Sequence, residues 1–137
     1  MRKTLPVAGA LLFTLAASMS AAFTPGDPVE GEKIFDKSCN ACHSIEAGKK
    51  KPTGPNLLGV LGRQAGIADF KYGKSMIAAG EAGLVWTPEA MDAYIKDTKA
   101  FLKETLGVTK VKNKMKFKLK KEDQRADVIA YLMSLSE

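Results

Sequence analysis

The chain reads as an all-α protein with long loops, and three observations carry that reading. Apolar residues recur at i, i+3, i+4 spacing in segments that open with helix-start residues. The stretch between the first such segment and the others is punctuated by glycine and proline. No strand-rich run, internal repeat or low-complexity segment occurs.

Taken in order, the first helix is announced by Asp27 as cap, Pro28 at the first helical position and Glu30 closing an Asp-x-x-Glu box. Ile34 and Phe35 give it an apolar face, and it should run into Cys39. From Gly48 to Gly66 the text is loop-like, with Lys49-Lys50-Lys51-Pro52, Thr53-Gly54-Pro55, Gly59 and Gly62. A short helix is expected around Lys74–Ala82, between Gly73 and Gly83. Thr87-Pro88-Glu89 starts another, with Met91, Tyr94 and Ile95 on one face. A further turn or two covers Lys99–Glu104. The last helix begins near Glu122, whose charge and that of Asp123 suit its positive end. Val128, Tyr131, Leu132 and Leu135 form its expected buried stripe.

Cys39-Asn40-Ala41-Cys42-His43 decides the chemistry. These are the chain's only two cysteines and its only histidine, in the C-x-x-C-H pattern of c-type haem attachment. Two thiols three positions apart can add to the two vinyl groups of one porphyrin, and the adjacent imidazole can bind the iron. A closed zinc site needs four ligands, and Cys39, Cys42 and His43 supply three. A thioredoxin-like pair expects a βαβ setting that is missing here. A lone disulfide closing so small a ring would constrain an unfolded chain little. The reading is one haem c, bound covalently through Cys39 and Cys42.

The N-terminus agrees. Arg2 and Lys3 are followed by 23 residues without charge, up to Asp27. Leu5 to Ala17 has the length of a signal-peptide core, and Ser20-Ala21-Ala22 offers small residues for cleavage after Ala22. An uncleaved anchor is the alternative, since the uncharged run could just span a bilayer, but Pro6, Gly9 and several Ser and Thr dilute it. Residues 1–22 are therefore expected to be a signal peptide for the bacterial periplasm, leaving 23–137 as one small domain. Removing Arg2 and Lys3 lowers the formal charge from +6 to +4. That balance, without interleaved aromatic and basic residues, gives no argument for nucleic acid.

One histidine forbids bis-histidine ligation, so the sixth position is a thioether, a weaker ligand, or open. Met91 and Met133 lie in amphipathic helix patterns, and Met76 has no special context. Met115 differs. From Lys110 to Lys120 every even position is lysine, while Val111, Asn113, Met115, Phe117 and Leu119 fill the odd ones. An extended segment alternates its side chains, which sends the lysines to water and Met115 inward. The pattern suits a His/Met site, or an amphipathic edge strand with an ordinary buried methionine.

Cys39–His43, Thr53-Gly54-Pro55-Asn56-Leu57, Gly62-Arg63, Tyr72, Trp86 and Lys114-Met115-Lys116-Phe117 occur in this order. The ensemble resembles the class I cytochrome c family, nearest to the bacterial soluble c-two type, over essentially the whole chain after residue 22. The resemblance implies helices and loops wrapped around one covalently attached haem, with His43 and Met115 as axial ligands. It implies that the Pro55 carbonyl accepts from the His43 ring, that Leu57 packs on that ring, and that Gly31 lets the first helix cross closely against Tyr131. Arg63, Tyr72 and Trp86 match residues that hydrogen-bond a haem propionate, and Tyr94 one near the methionine sulfur. Asn113 departs from the family's Thr-Lys-Met pattern.

Haem closed on both faces suits one-electron transfer better than substrate binding, and the thioether raises its potential relative to bis-nitrogen ligation. No other catalytic constellation is present. The expectation is a soluble, monomeric periplasmic electron carrier. It would take electrons from a membrane quinol-oxidising cytochrome complex and pass them to an oxidase or photosynthetic reaction centre. Seven lysines in 110–121 without one acid suggest that Lys112, Lys114, Lys116 and Lys118 dock acidic partners. The alternatives are a haem enzyme or small-ligand sensor with a displaceable Met115, and a subunit held in a larger complex.

Overall fold

The computed structural model describes residues 22–136, so the expected signal peptide, apart from Ala22, lies outside the described residues. Among these, the helices are α1 (Pro28–Ser38), α2 (Lys74–Glu81), α3 (Pro88–Lys96), α4 (Thr98–Leu106) and α5 (Glu122–Ser134). Among the described residues, extended pairing is limited to an isolated antiparallel bridge between Gln64 and Val85. The fold is all-α, and the long segment between α1 and α2 is loop.

Each boundary has a local cause. Asp27 caps α1 by accepting from the Val29 N–H at 2.8 Å, with Pro28 at the helix start. Glu30 does not complete the expected box. It pairs with Lys33 at 2.6 Å, and the Asp27 N–H donates instead to Asp127 Oδ1 on α5, at 2.8 Å. A contact across the fold has replaced a local one. Thr87 caps α3 through the Ala90 N–H. Asp97 ends α3 in an extended conformation and caps α4, accepting from Lys99 and Ala100. α4 is longer than the turn or two expected at Lys99–Glu104, because Asp97 caps its start at Thr98 and the left-handed Gly107 ends it only after Leu106.

The packing of α1 on α5 closes the molecule. A Cβ on Gly31 would lie 2.0 Å from the Asp127 carbonyl oxygen and 2.8 Å from the Tyr131 Cβ, so only glycine permits this crossing. Phe35 and Tyr131 meet beside it with ring centroids 5.8 Å apart. Phe35, Val60, Leu102 and Ile129 are fully buried, each contributing about 2 kcal/mol of hydrophobic stabilisation. The stripe of α5 is rotated from the expected one. Val128, Ile129 and Leu132 are buried, whereas Tyr131 and Leu135 are half-buried. Arg125, at i−3 from Val128, is buried on the same face.

Candidate haem-binding site

The C-x-x-C-H segment follows α1 as tight turns. The Cys39 N–H closes the helix on Phe35 O at 2.8 Å, and Cys42 and His43 both donate to the Cys39 carbonyl, at 3.0 and 2.9 Å. This winding brings Cys39, Cys42 and His43 to the wall of one cavity. The thiols are not joined to each other. Burial, aided by the neighbouring Cys42, pushes the Cys39 thiol up to about 11.

The His43 ring is held from behind. Its Nδ1 lies 2.8 Å from the Pro55 carbonyl oxygen. Nδ1–H donates there, which leaves the Nε2 lone pair available to a metal. Burial lowers the imidazole's proton affinity and Lys51 acts in the same sense, against the Pro55 bond. The neutral, ligating form is thereby favoured. Gly54 lets the loop pass this close: a Cβ there would sit 2.7 Å from both Cys42 O and His43 Cε1.

Met115 lines the same cavity from the lysine-rich segment. The alternation read from the sequence is present: Lys112, Lys114, Lys116 and Lys118 are exposed, whereas Val111, Asn113 and Met115 are half-buried. Phe117 departs from it and stays exposed. The Met115 carbonyl accepts from Thr98 Oγ1 at 3.0 Å and Asn113 Nδ2 at 2.9 Å. Asn113 Nδ2 also lies 3.1 Å from the Tyr94 hydroxyl. Asn113, the departure from the family pattern, thus ties Tyr94 of α3 to the backbone of Met115. Burial pushes the Tyr94 phenol up to about 12, against the opposing Asn113 bond.

Arg63, Tyr72 and Trp86 also line the cavity. The Arg63 carbonyl accepts from the Trp86 N–H at 3.0 Å, and Arg63 Nη2 donates to Asn56 O at 2.9 Å. Trp86 is buried, its ring centroid 5.0 Å from that of Tyr94 and 6.2 Å from that of Phe101. Burial raises the Tyr72 phenol and lowers the Arg63 guanidinium, and their mutual attraction opposes both shifts.

The donor set fits a haem. Leu57, Val60, Ile95, Val128 and Leu132 make much of the remaining wall apolar, as a porphyrin face requires. A guanidinium, a phenol and an indole offer donors that a buried carboxylate needs. Two thiols, one imidazole with its outer nitrogen engaged and a thioether complete the set.

Sequence reasoning missed Met76, Thr98 and Arg125, and placed Met91 on the apolar face of α3 without assigning it to this cavity. Met76 and Met91 are both buried in the cavity wall, at 5% and 6% exposure, whereas Met133 is not part of it. Met76 had only the signal of a short helical segment. Thr98 and Arg125 act through contacts with residues 17 and 33 positions away. Arg125 was accessible from helical periodicity alone.

The cytochrome c family model matches residues 28–136. Cytochrome c-551 of Roseobacter denitrificans is 49% identical over 134 residues, covering 92% of this chain and 94% of the relative. Cytochrome c2 iso-1 of Rhodospirillum centenum is 48% identical over 118 residues, covering 81% and 98%. The structure of cytochrome c2 from Rhodospirillum centenum superposes with a TM-score of 0.76 at 46% identity, over 82% of this chain and 100% of that one. Ferric cytochrome c-550 from Paracoccus versutus gives a TM-score of 0.74 at 40% identity, over 82% and 99%. With the Cys39–Cys42 pair at the cavity wall, these likenesses establish that the chain belongs to the cytochrome c family, as a class I electron-transfer protein of the c2 type carrying one covalently bound haem c.

Proposed function

We propose that this chain is a periplasmic electron carrier whose single haem is ligated by His43 and Met115. In this reading residues 1–22 are an export signal cleaved after Ala22. A membrane quinol-oxidising cytochrome complex is the donor, and an oxidase or photosynthetic reaction centre the acceptor. The observation that carries the ligation is the pairing of His43 Nδ1 with Pro55 O, in a cavity that Met115 also lines. The haem supplies the one-electron couple. His43 is oriented by Pro55, and the Met115 backbone is anchored by Thr98 and Asn113, so the ring and the segment that carries the thioether are both held in place. Arg63, Tyr72 and Trp86, which line the same cavity, would supply donors to the haem carboxylates, and Tyr94 would stand by the thioether. The apolar wall disfavours the extra charge of the ferric state and raises the potential.

The exposed lysines of 112–118 support docking of an acidic partner near Met115. Two of the four have other engagements. Lys118 pairs with Asp97 at 2.7 Å, and Lys114 donates to the Lys71 carbonyl while lying over the Phe70 ring. Of the four only Lys118 has its charge offset by a carboxylate, so Lys112, Lys114 and Lys116 carry most of the docking charge.

The ferric absorption spectrum tests the ligation. Low-spin haem with the weak red-edge sulfur-to-iron band is expected. A high-spin spectrum without that band overturns the closed site and favours a ligand-binding haem.

A further inference from the structure

Thr98 carries a hydroxyl and yet is fully buried, at 0% exposure. The local need for an oxygen at this end of α4 is already met. Asp97 caps the helix, accepting from the Lys99 and Ala100 N–H groups at 3.2 and 3.0 Å. A hydroxyl taken from water without a partner is costly. The partner that Thr98 Oγ1 has is the Met115 carbonyl, at 3.0 Å.

That bond differs from the other one on the same oxygen. Asn113 donates at 2.9 Å from within the same segment, two positions away, and moves with it. Thr98 belongs to the helical frame: Asp97 fixes the start of α4, and Leu102, one turn on, is also at 0% exposure. The segment is pinned on either side, by the Lys112 N–H on Ser75 Oγ at 2.7 Å and the Leu119 N–H on the Ile95 carbonyl at 2.8 Å. Between those pins, among the described residues, Thr98 is the one group of another element that bonds the backbone. The side chains of Asn113, Lys114 and Lys118 also reach out of the segment, but their own torsions let the backbone shift beneath them.

On the reading that His43 and Met115 ligate the iron, we propose that Thr98 is a positioning residue for the sixth ligand. Its hydroxyl releases the Met115 carbonyl before the thioether can withdraw and a small neutral ligand can take its place. Such a ligand binds with an affinity reduced by the open fraction, and the Thr98 bond lowers that fraction. Thr98 acts through the Met115 backbone, from outside the cavity wall.

The test titrates the ferric holoprotein with imidazole at about pH 8, where that base is mostly neutral, and follows loss of the sulfur-to-iron band. Thr98→Val removes the hydroxyl and keeps the shape, while Asn113 still satisfies the Met115 carbonyl. Imidazole should bind this variant about fivefold more tightly, the equivalent of one neutral hydrogen bond. Thr98→Ser keeps the hydroxyl and should stay within about twofold of the parent. Thr98→Ala lacks it too and should loosen the ligand at least as much as valine, which decides the matter where the valine variant does not fold. Ile129→Val trims a fully buried residue outside the cavity wall. It should lower the melting temperature and leave imidazole affinity within about twofold of the parent's.

Equal tightening in Ile129→Val, or as much in Thr98→Ser as in Thr98→Val, overturns the proposal in favour of a general loosening of the core. Unchanged affinity in Thr98→Val and Thr98→Ala, with the band present in the parent, overturns it and leaves Met115 as the ligand. A parent without the band overturns the ligation itself, and the proposal with it.

Discussion

Arg125 holds its Nε 2.7 Å from Asp92 Oδ1, joining α5 to α3 through an ion pair whose arginine side chain is only 4% exposed. Its Nη1 also donates to the carbonyls of Leu119 and Lys120, at 3.2 and 2.7 Å. One guanidinium thus anchors the end of the segment that carries Met115. Arg125→Ala should cost about 3 kcal/mol, because it strands Asp92 and two carbonyls that the arginine had satisfied. Chemical denaturation of the holoprotein measures this. A loss below ~1 kcal/mol, the range of a surface pair, would mean that water replaces the guanidinium.

Met115→Ala should leave the haem covalently attached, abolish the sulfur-to-iron band, admit carbon monoxide and lower the potential. Alanine at Met76, Met91 or Met133 should keep the band. Met76→Ala and Met91→Ala should each destabilise the protein by about 2–5 kcal/mol, as core truncations. Loss of the band in one of these variants, with its retention in Met115→Ala, would reassign the ligand.

Tyr94 predicts an alkaline limb in the stability profile. Its phenol is pushed up to about 12 from an ordinary 10.0, chiefly by burial. Below the lower value the folded and unfolded forms both keep the proton, and the stabilisation is whole. Between the two values the unfolded chain ionises first, so stability falls as pH rises, by about 3 kcal/mol in all. Tyr94→Phe removes the ionisation, and denaturation midpoints across that window should fall less steeply with pH than the parent's.

The lysine engagements rank the docking variants. Lys112→Glu and Lys116→Glu should each lower the bimolecular electron-transfer rate with an acidic partner more than Lys118→Glu, which loses a charge already balanced by Asp97. The parent's rate should fall as salt rises, since screening over about 8 Å at physiological ionic strength weakens steering between separated surfaces. Stopped-flow rates at several salt concentrations decide it, and equal effects at all three positions would make net charge the cause.

Much of this was legible in the chain because the signals are local. Pro28, Thr87 and the Glu122-Asp123 pair mark helix starts without reference to any other part of the molecule, and each helix begins where they indicate. C-x-x-C-H and the alternating lysines likewise carry their meaning within a dozen residues. The errors fall where distant segments compete with neighbours. Asp127 takes the Asp27 N–H that Glu30 was expected to hold. Asn113 gains its meaning only when α3 brings Tyr94 to it. Met76, in a helix with no special context, becomes cavity wall because α2 turns one face inward.

The crossing at Gly31 has a consequence for the order of events in the chain's life. The surface of α1 around Gly31 and Phe35 is completed by α5, which leaves the ribosome after α1 to α4 and, on the proposed route, crosses a membrane after them. Until Asp127 and Tyr131 arrive, α1 lacks the partner it packs against, and a nascent chain pays a long loop closure before that contact can form. Cys39 and Cys42 directly follow α1. They therefore remain on an open polypeptide throughout emergence, reachable by whatever chemistry acts on thiols, and the packing of the two ends on each other shuts that window.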